Sequence, residues 1–129
     1  MELDDLVATM PHAQALGITL AAAAADSVTG SVDWAEERCT IGGLMHGGVL
    51  MAFADSLGAV CAFLNLPPGA STSTIESKTN LFRGVRAGTI TGVSTPLHVG
   101  RRTIAVQTEV RNEEGKLVSL TIQTQAVLT

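Results

Sequence analysis

The sequence predicts an α+β protein in which an antiparallel β-sheet packs on one long central helix. Two observations carry that expectation. The stretch 46–66 is the longest apolar run in the chain, and Pro67, Pro68 and Gly69 end it. Beyond that stop the pattern turns to period two. In 102–111, Ile104, Val106 and Val110 alternate with Gln107, Glu109 and Arg111. In 117–126, Val118, Leu120 and Ile122 alternate with Ser119, Thr121 and Gln123. Both runs read as half-buried strands, and 112–115 (NEEG) between them reads as a hairpin loop.

The remaining elements follow in order. Residues 4–15 read as a short helix or two helical turns interrupted by Pro11. Residues 18–34 hold two short extended runs around Asp26 and Ser27, closing at Trp34. Segment 35–45, with Gly42 and Gly43, reads as a loop. The runs 71–82 and 86–95 look like two further strands joined through Gly84, so the last four strands are expected to follow one another mostly by short turns.

Composition narrows the function classes. A chain of 129 residues fits one domain, 1–129, and 46% apolar against 16% charged residues is enough to fill a core. Aromatics are few (Trp34, Phe53, Phe63, Phe82, no Tyr), which disfavours base-stacking platforms, and a net charge of −4 disfavours nucleic-acid or anionic-membrane surfaces. Cys39 and Cys61 form neither a disulfide framework nor a CxxC metal site. The acidic start MELDDLVATM does not resemble a secretory signal, so a cytoplasmic protein is expected. Charge is uneven, however. Residues 1–76 hold nine acids against one base, while 77–129 hold seven bases against three acids. A basic cluster on an acidic protein points to a local anion site.

In 49–64 only Asp55 and Ser56 are strongly polar. A helix apolar nearly all round is a membrane span or a domain core. A mid-span carboxylate, Gly58 and the lack of flanking anchors favour the core, where about 18 helical residues reach roughly 27 Å, the length of a strand of eight to ten. Met51, Phe53, Leu57 and Phe63 are expected in that core. Asp55 then has to be paired or hydrogen-bonded, and a carboxylate between apolar walls also suits a general base or nucleophile. At the helix start, His46-Gly47-Gly48 offers free N–H groups and the positive end of the helix dipole, a plausible oxyanion site. The same tripeptide also reads as a simple histidine cap with a tight turn. His46 and Asp55 are nine residues apart, roughly 13 Å along one helix, too far to meet one substrate atom. Two antiparallel helices at a two-fold interface bring them together, which points to a dimer.

The segment GGLMHGGVLMAFADSLG, with its acid nine positions after the His, resembles the hotdog-fold acyl-CoA thioesterases of the phenylacetate-degradation and 4-hydroxybenzoyl-CoA types. The later HVGRRT and EGKLV are similar to that family's last strands, so the resemblance covers residues 10–128. It implies a hotdog fold and a metal-free, cofactor-free hydrolase of acyl-coenzyme A, with dimers pairing into a tetramer. It also implies that the Gly47 amide, with His46 beside it, polarises the thioester carbonyl, and that Gly48 and Thr40 contact the substrate. Asp55 of the partner chain would be nucleophile or general base, and Thr74 would help to hold the attacking water. Arg101 and Arg102 would face the coenzyme A phosphates. Thr40 stands six residues before the His, where the family often has Asn or Gln, and its hydroxyl supplies a single donor. The alternatives are a hotdog-fold hydratase or dehydratase and a non-catalytic acyl-CoA binding protein.

Overall fold

A computed structural model describes residues 2–129. Two short helices, α1 (Leu3–Ala8) and α2 (Pro11–Ala15), precede strands β1 (Thr19–Ala24) and β2 (Ser27–Asp33). Pro11 opens α2 at a position where its missing N–H costs nothing. Helix α3 (Gly47–Phe63) follows, and then β3 (Ser71–Leu81), β4 (Thr89–Val99), β5 (Thr103–Arg111) and β6 (Leu117–Leu128). The expected loop at 35–45 contains two single 3₁₀ turns, Glu36–Arg38 and Ile41–Gly43, and a bridge between Cys39 and Met45.

All strand pairs are antiparallel, and the sheet order is β1-β2-β4-β5-β6-β3. The expected wrapping of a sheet on one long helix therefore stands: six strands cover α3. The expected succession of short turns holds for β4-β5-β6 but not for β3 and β4. Gly84 lies in a crossover that carries the chain from one edge, β3, to the middle of the sheet, so β3 pairs only with β6. Local periodicity reports strand existence and is silent about which strands pair.

Phe53 and Leu57 of α3 are fully buried against Val28, Val32, Ile90, Ile104, Val106 and Val110 of the sheet. Each such side chain contributes roughly 1.5–3 kcal/mol by leaving water. Glycine lets the layers meet: a Cβ on Gly92 of β4 would lie 2.6 Å from Leu57 Cδ1. Met51 and Phe63, expected in the core, lie instead on the outer stripe of α3 and are 42% and 55% exposed. A helix covered by a sheet on one side buries one stripe only, whatever its composition.

β6 departs further from expectation. Val110 pairs with Ser119 but Arg111 pairs with Leu117, so Val118 is an extra residue in a bulge. Val118 and Ser119 are both buried, and beyond them the facing is reversed. Ser119, Thr121, Gln123 and Gln125 point at α3 with no exposure, while Leu120 is half-buried and Ile122 is 43% exposed. The polar face of β6 is partly satisfied across the sheet by Thr79 with Thr121, and the neighbouring β4 and β5 carry a buried pair of their own, Ser94 with Thr108. Among the described residues no helix is long and apolar enough to cross a membrane.

Candidate active site

Asp55 lies midway along α3, half-buried, where the inward polar face of β6 meets β3. Its Oδ1 accepts hydrogen bonds from Thr74 Oγ1 (2.8 Å) and Gln123 Nε2 (2.9 Å). Thr74 Oγ1 in turn accepts from Gln125 Nε2 (2.6 Å), and Thr72 Oγ1 lies 3.1 Å from Gln125 Oε1. A bulge at Ile75 makes this possible. Thr74 pairs with Gln125 and Ser77 with Gln123, so that Ile75 and Glu76 on β3 stand against Thr124 alone on β6. The extra residue keeps Thr74 turned toward the helix. The carboxylate is thus held by neutral donors with no cation on it: among the described residues the one ion pair is Arg111 with Glu109.

The N-terminus of α3 forms a second cluster. His46 is its N-cap, and His46 Nδ1 accepts the Gly48 N–H at 2.8 Å. An accepting ring nitrogen carries no proton, so the imidazole proton is on Nε2. A Cβ on Gly48 would come within 2.9 Å of that Nδ1, so glycine is needed for the cap to close. The Val49 N–H bonds the His46 carbonyl. The Gly47 N–H has no partner among the described residues. Gly47 lines a surface groove of about 340 Å³ with Thr40, Leu81, Phe82 and Arg83. An unpaired N–H at the positive end of a helix dipole, opening on a groove, is suited to an oxygen that gains negative charge.

The thioesterase superfamily model matches residues 42–119, which include Asp55, Thr74 and the His46–Gly48 cap but not Thr40, Gln123 or Gln125. The chain belongs to the thioesterase superfamily. A 1,4-dihydroxy-2-naphthoyl-CoA hydrolase from Escherichia coli K12 is 35% identical over 86 residues, 67% of this chain and 63% of that protein. The proofreading thioesterase EntH of Cronobacter sakazakii is 32% identical over 74 residues, 57% of this chain and 54% of that protein. A solved thioesterase from Haemophilus influenzae superposes with a TM-score of 0.93 at 27% identity, covering 100% of this chain and 92% of that one. The chain spans about three fifths of the length of several curated relatives it matches. The expected class, a thioester hydrolase, is the one these relatives carry in their names.

In this thioesterase-superfamily chain the expected residues fall into three places. Asp55 and Thr74 meet directly. Thr40 and Gly47 share the groove at the start of α3, with His46 and Gly48 forming the cap behind it. Arg101 lines a groove of about 570 Å³ with Asn65, Leu66 and Pro67, just past the opposite end of α3, and Arg102 is exposed beside it. One chain therefore does not join the three places. The sequence pattern does not single out Gln123, Gln125 or Arg83. The first two alternate with apolar residues and so look outward-facing, and only the bulge at Val118 reverses them. Arg83 sits among six other bases of the C-terminal half, and nothing local sets it apart. Among the described residues no group of three His, Cys, Asp or Glu is placed to hold a metal ion.

Proposed function

We propose that this chain hydrolyses an acyl-coenzyme A thioester to a free acid and coenzyme A, as a homo-oligomer whose sites combine two protomers. The observation that carries the reading is the Asp55 niche: a half-exposed carboxylate on a helix apolar nearly all round, oriented by Thr74 and Gln123 and left without a cation. The thioester carbonyl oxygen takes the Gly47 N–H of one protomer, and Asp55 of its partner removes a proton from water. The hydroxide adds to the carbonyl carbon and the oxyanion forms on the Gly47 N–H. The carbon–sulfur bond then breaks, and the proton held by Asp55 passes to the departing thiolate. Direct attack by the Asp55 carboxylate gives the same products through an anhydride. Single-turnover hydrolysis in ¹⁸O-water reports the anhydride route where water opens the anhydride at the Asp55 carbonyl, because general-base hydrolysis never carries label into the protein. The one proton of Thr74 is committed to Asp55, so toward water its hydroxyl is an acceptor.

β3 supports the oligomer. It is an 11-residue edge strand paired on one side only, with the exposed apolar residues Ile75, Leu81 and Phe82 on it or just beyond it. Antiparallel pairing of two such edges sets the two α3 helices antiparallel. The partner's Arg101 end then approaches the Gly47 groove, where Arg83 already stands, and these bases suit the coenzyme A phosphates. Val93, Leu97 and Ile122 on the outer face of the sheet support a further pairing of dimers. A coenzyme A substrate implies a cytoplasmic setting. The test is thiol release from short, long and aromatic acyl-CoAs by the wild-type chain. Release from at least one class is expected, and none from any would overturn the hydrolase reading in favour of hydration or binding alone.

A further inference from the structure

We infer that Gln123, seated in a notch made by Gly58, is the positioning residue that turns one defined oxygen of Asp55 toward the reacting water. This rests on Asp55 being the reactive carboxylate. Both protein donors fall on Oδ1, at 2.8 and 2.9 Å, so the plane of the carboxylate is set and Oδ2 is left to meet the water. Gln123 is fully buried, and its amide donates to Asp55 while its Oε1 is buried without a partner. Flipping the amide would face Oε1 against the carboxylate, two acceptors with no proton between them, and strand the NH₂ group instead. The carboxylate therefore dictates the amide orientation, and the orphaned carbonyl is the cost of it.

Gly58 makes a matching sacrifice. It lies inside α3, where glycine is unfavourable. A Cβ there would overlap Gln123 Oε1 and Cδ. Any other residue at 58 displaces the amide from Asp55, and because what it meets is the end of a flexible side chain, the fold tolerates the displacement. Two locally unfavourable choices, a buried amide with an unpaired carbonyl and a mid-helix glycine, touch each other. Together they serve one hydrogen bond to Asp55. Conflicts of this kind between local rules and the fold mark functional positions.

The experiment is steady-state kinetics on the acyl-CoA hydrolysed fastest, with thermal melts to confirm folding. Asp55→Asn tests the underlying reading. Gln123→Met keeps the length of the side chain and removes the donor, and Gly58→Ala keeps the glutamine and pushes it aside. Each is expected to lower kcat by about tenfold with KM within about twofold of wild type, since orientation of the base and not substrate binding is lost. In a Gln123→Ala background, Gly58→Ala is expected to cost no further activity, because there is no amide left to displace. Wild-type kcat in folded Gln123→Met or folded Gly58→Ala, alongside an inactive Asp55→Asn, would overturn the positioning role, as would a second full loss in the double variant. An active Asp55→Asn would overturn the role of Asp55 itself.

Discussion

β5 and β6 lie side by side, alternate apolar and polar residues with equal regularity, and turn opposite sets toward α3. From β5 the helix receives Ile104, Val106 and Val110; from β6, beyond the bulge at Val118, it receives Ser119, Thr121, Gln123 and Gln125. Both strands obey period two, so the difference is one of phase. A single extra residue moves a whole strand's side chains to the other face. On β5 the inward face is built for burial. On β6 it carries the amides that reach Asp55 and Thr74, and the apolar residues released to the outer face are half-buried or exposed. The contrast separates residues whose removal should cost stability from those whose removal should cost turnover.

The largest expected effect is on the carboxylate. Asp55→Asn keeps the shape and removes the proposed base or nucleophile, and should lower kcat at least about a hundredfold, on the order of 3 kcal/mol in the barrier, with the melting curve near wild type. Ile104→Ala on the β5 side should do the reverse. Denaturant titration should show about 2–5 kcal/mol lost to the cavity, with kcat of the folded protein unchanged. Thr74→Val removes one of the two donors to Asp55 and should lower kcat by about tenfold, roughly 1.4 kcal/mol.

Smaller effects sharpen the contrast. Burial, with Asp26 nearby, pushes the Cys61 thiol up to about 11. A raised value means that the fold prefers the neutral thiol. The contribution is complete below the ordinary thiol value of about 9 and is lost as pH rises toward 11. After allowance for screening this is on the order of 1 kcal/mol, seen as a steeper alkaline loss of stability in wild type than in Cys61→Ala. A thiol reagent should accordingly label Cys39 in the native protein and Cys61 only on unfolding. Least of all, Ile122→Ser on the outer face of β6 should change protomer stability by no more than about 0.5 kcal/mol, although Ile122 looks like core in the sequence.

Much of the fold was legible for physical reasons that are local. Helix α3 announces itself by an apolar run with a His-Gly-Gly start and a Pro-Pro-Gly stop, and β5 and β6 by their alternation. What was not legible depends on distant partners. The crossover between β3 and β4 is invisible to periodicity, and the bulge at Val118 follows from register with β5. The candidate site divides in the same way. His46, Gly47 and Asp55 stand out because each is unusual for its own helix. Gln123 and Gln125 look ordinary until β6 is paired, and Arg83 becomes notable only when the Gly47 groove closes around it.

The central claim is that Gly47 and Asp55 act on one thioester although roughly 13 Å of helix separates the His46 cap from Asp55 within a chain. Gly47→Pro tests it cleanly, because proline at the first helical position removes the N–H and suits the helix. Gly47→Pro and Asp55→Asn chains should each be nearly inactive alone. Co-expressed at random, half of the dimers are mixed and carry one intact site of two, so hydrolysis should return to about one quarter of wild type. Activity no higher than that of the separate variants would contradict a site shared between protomers.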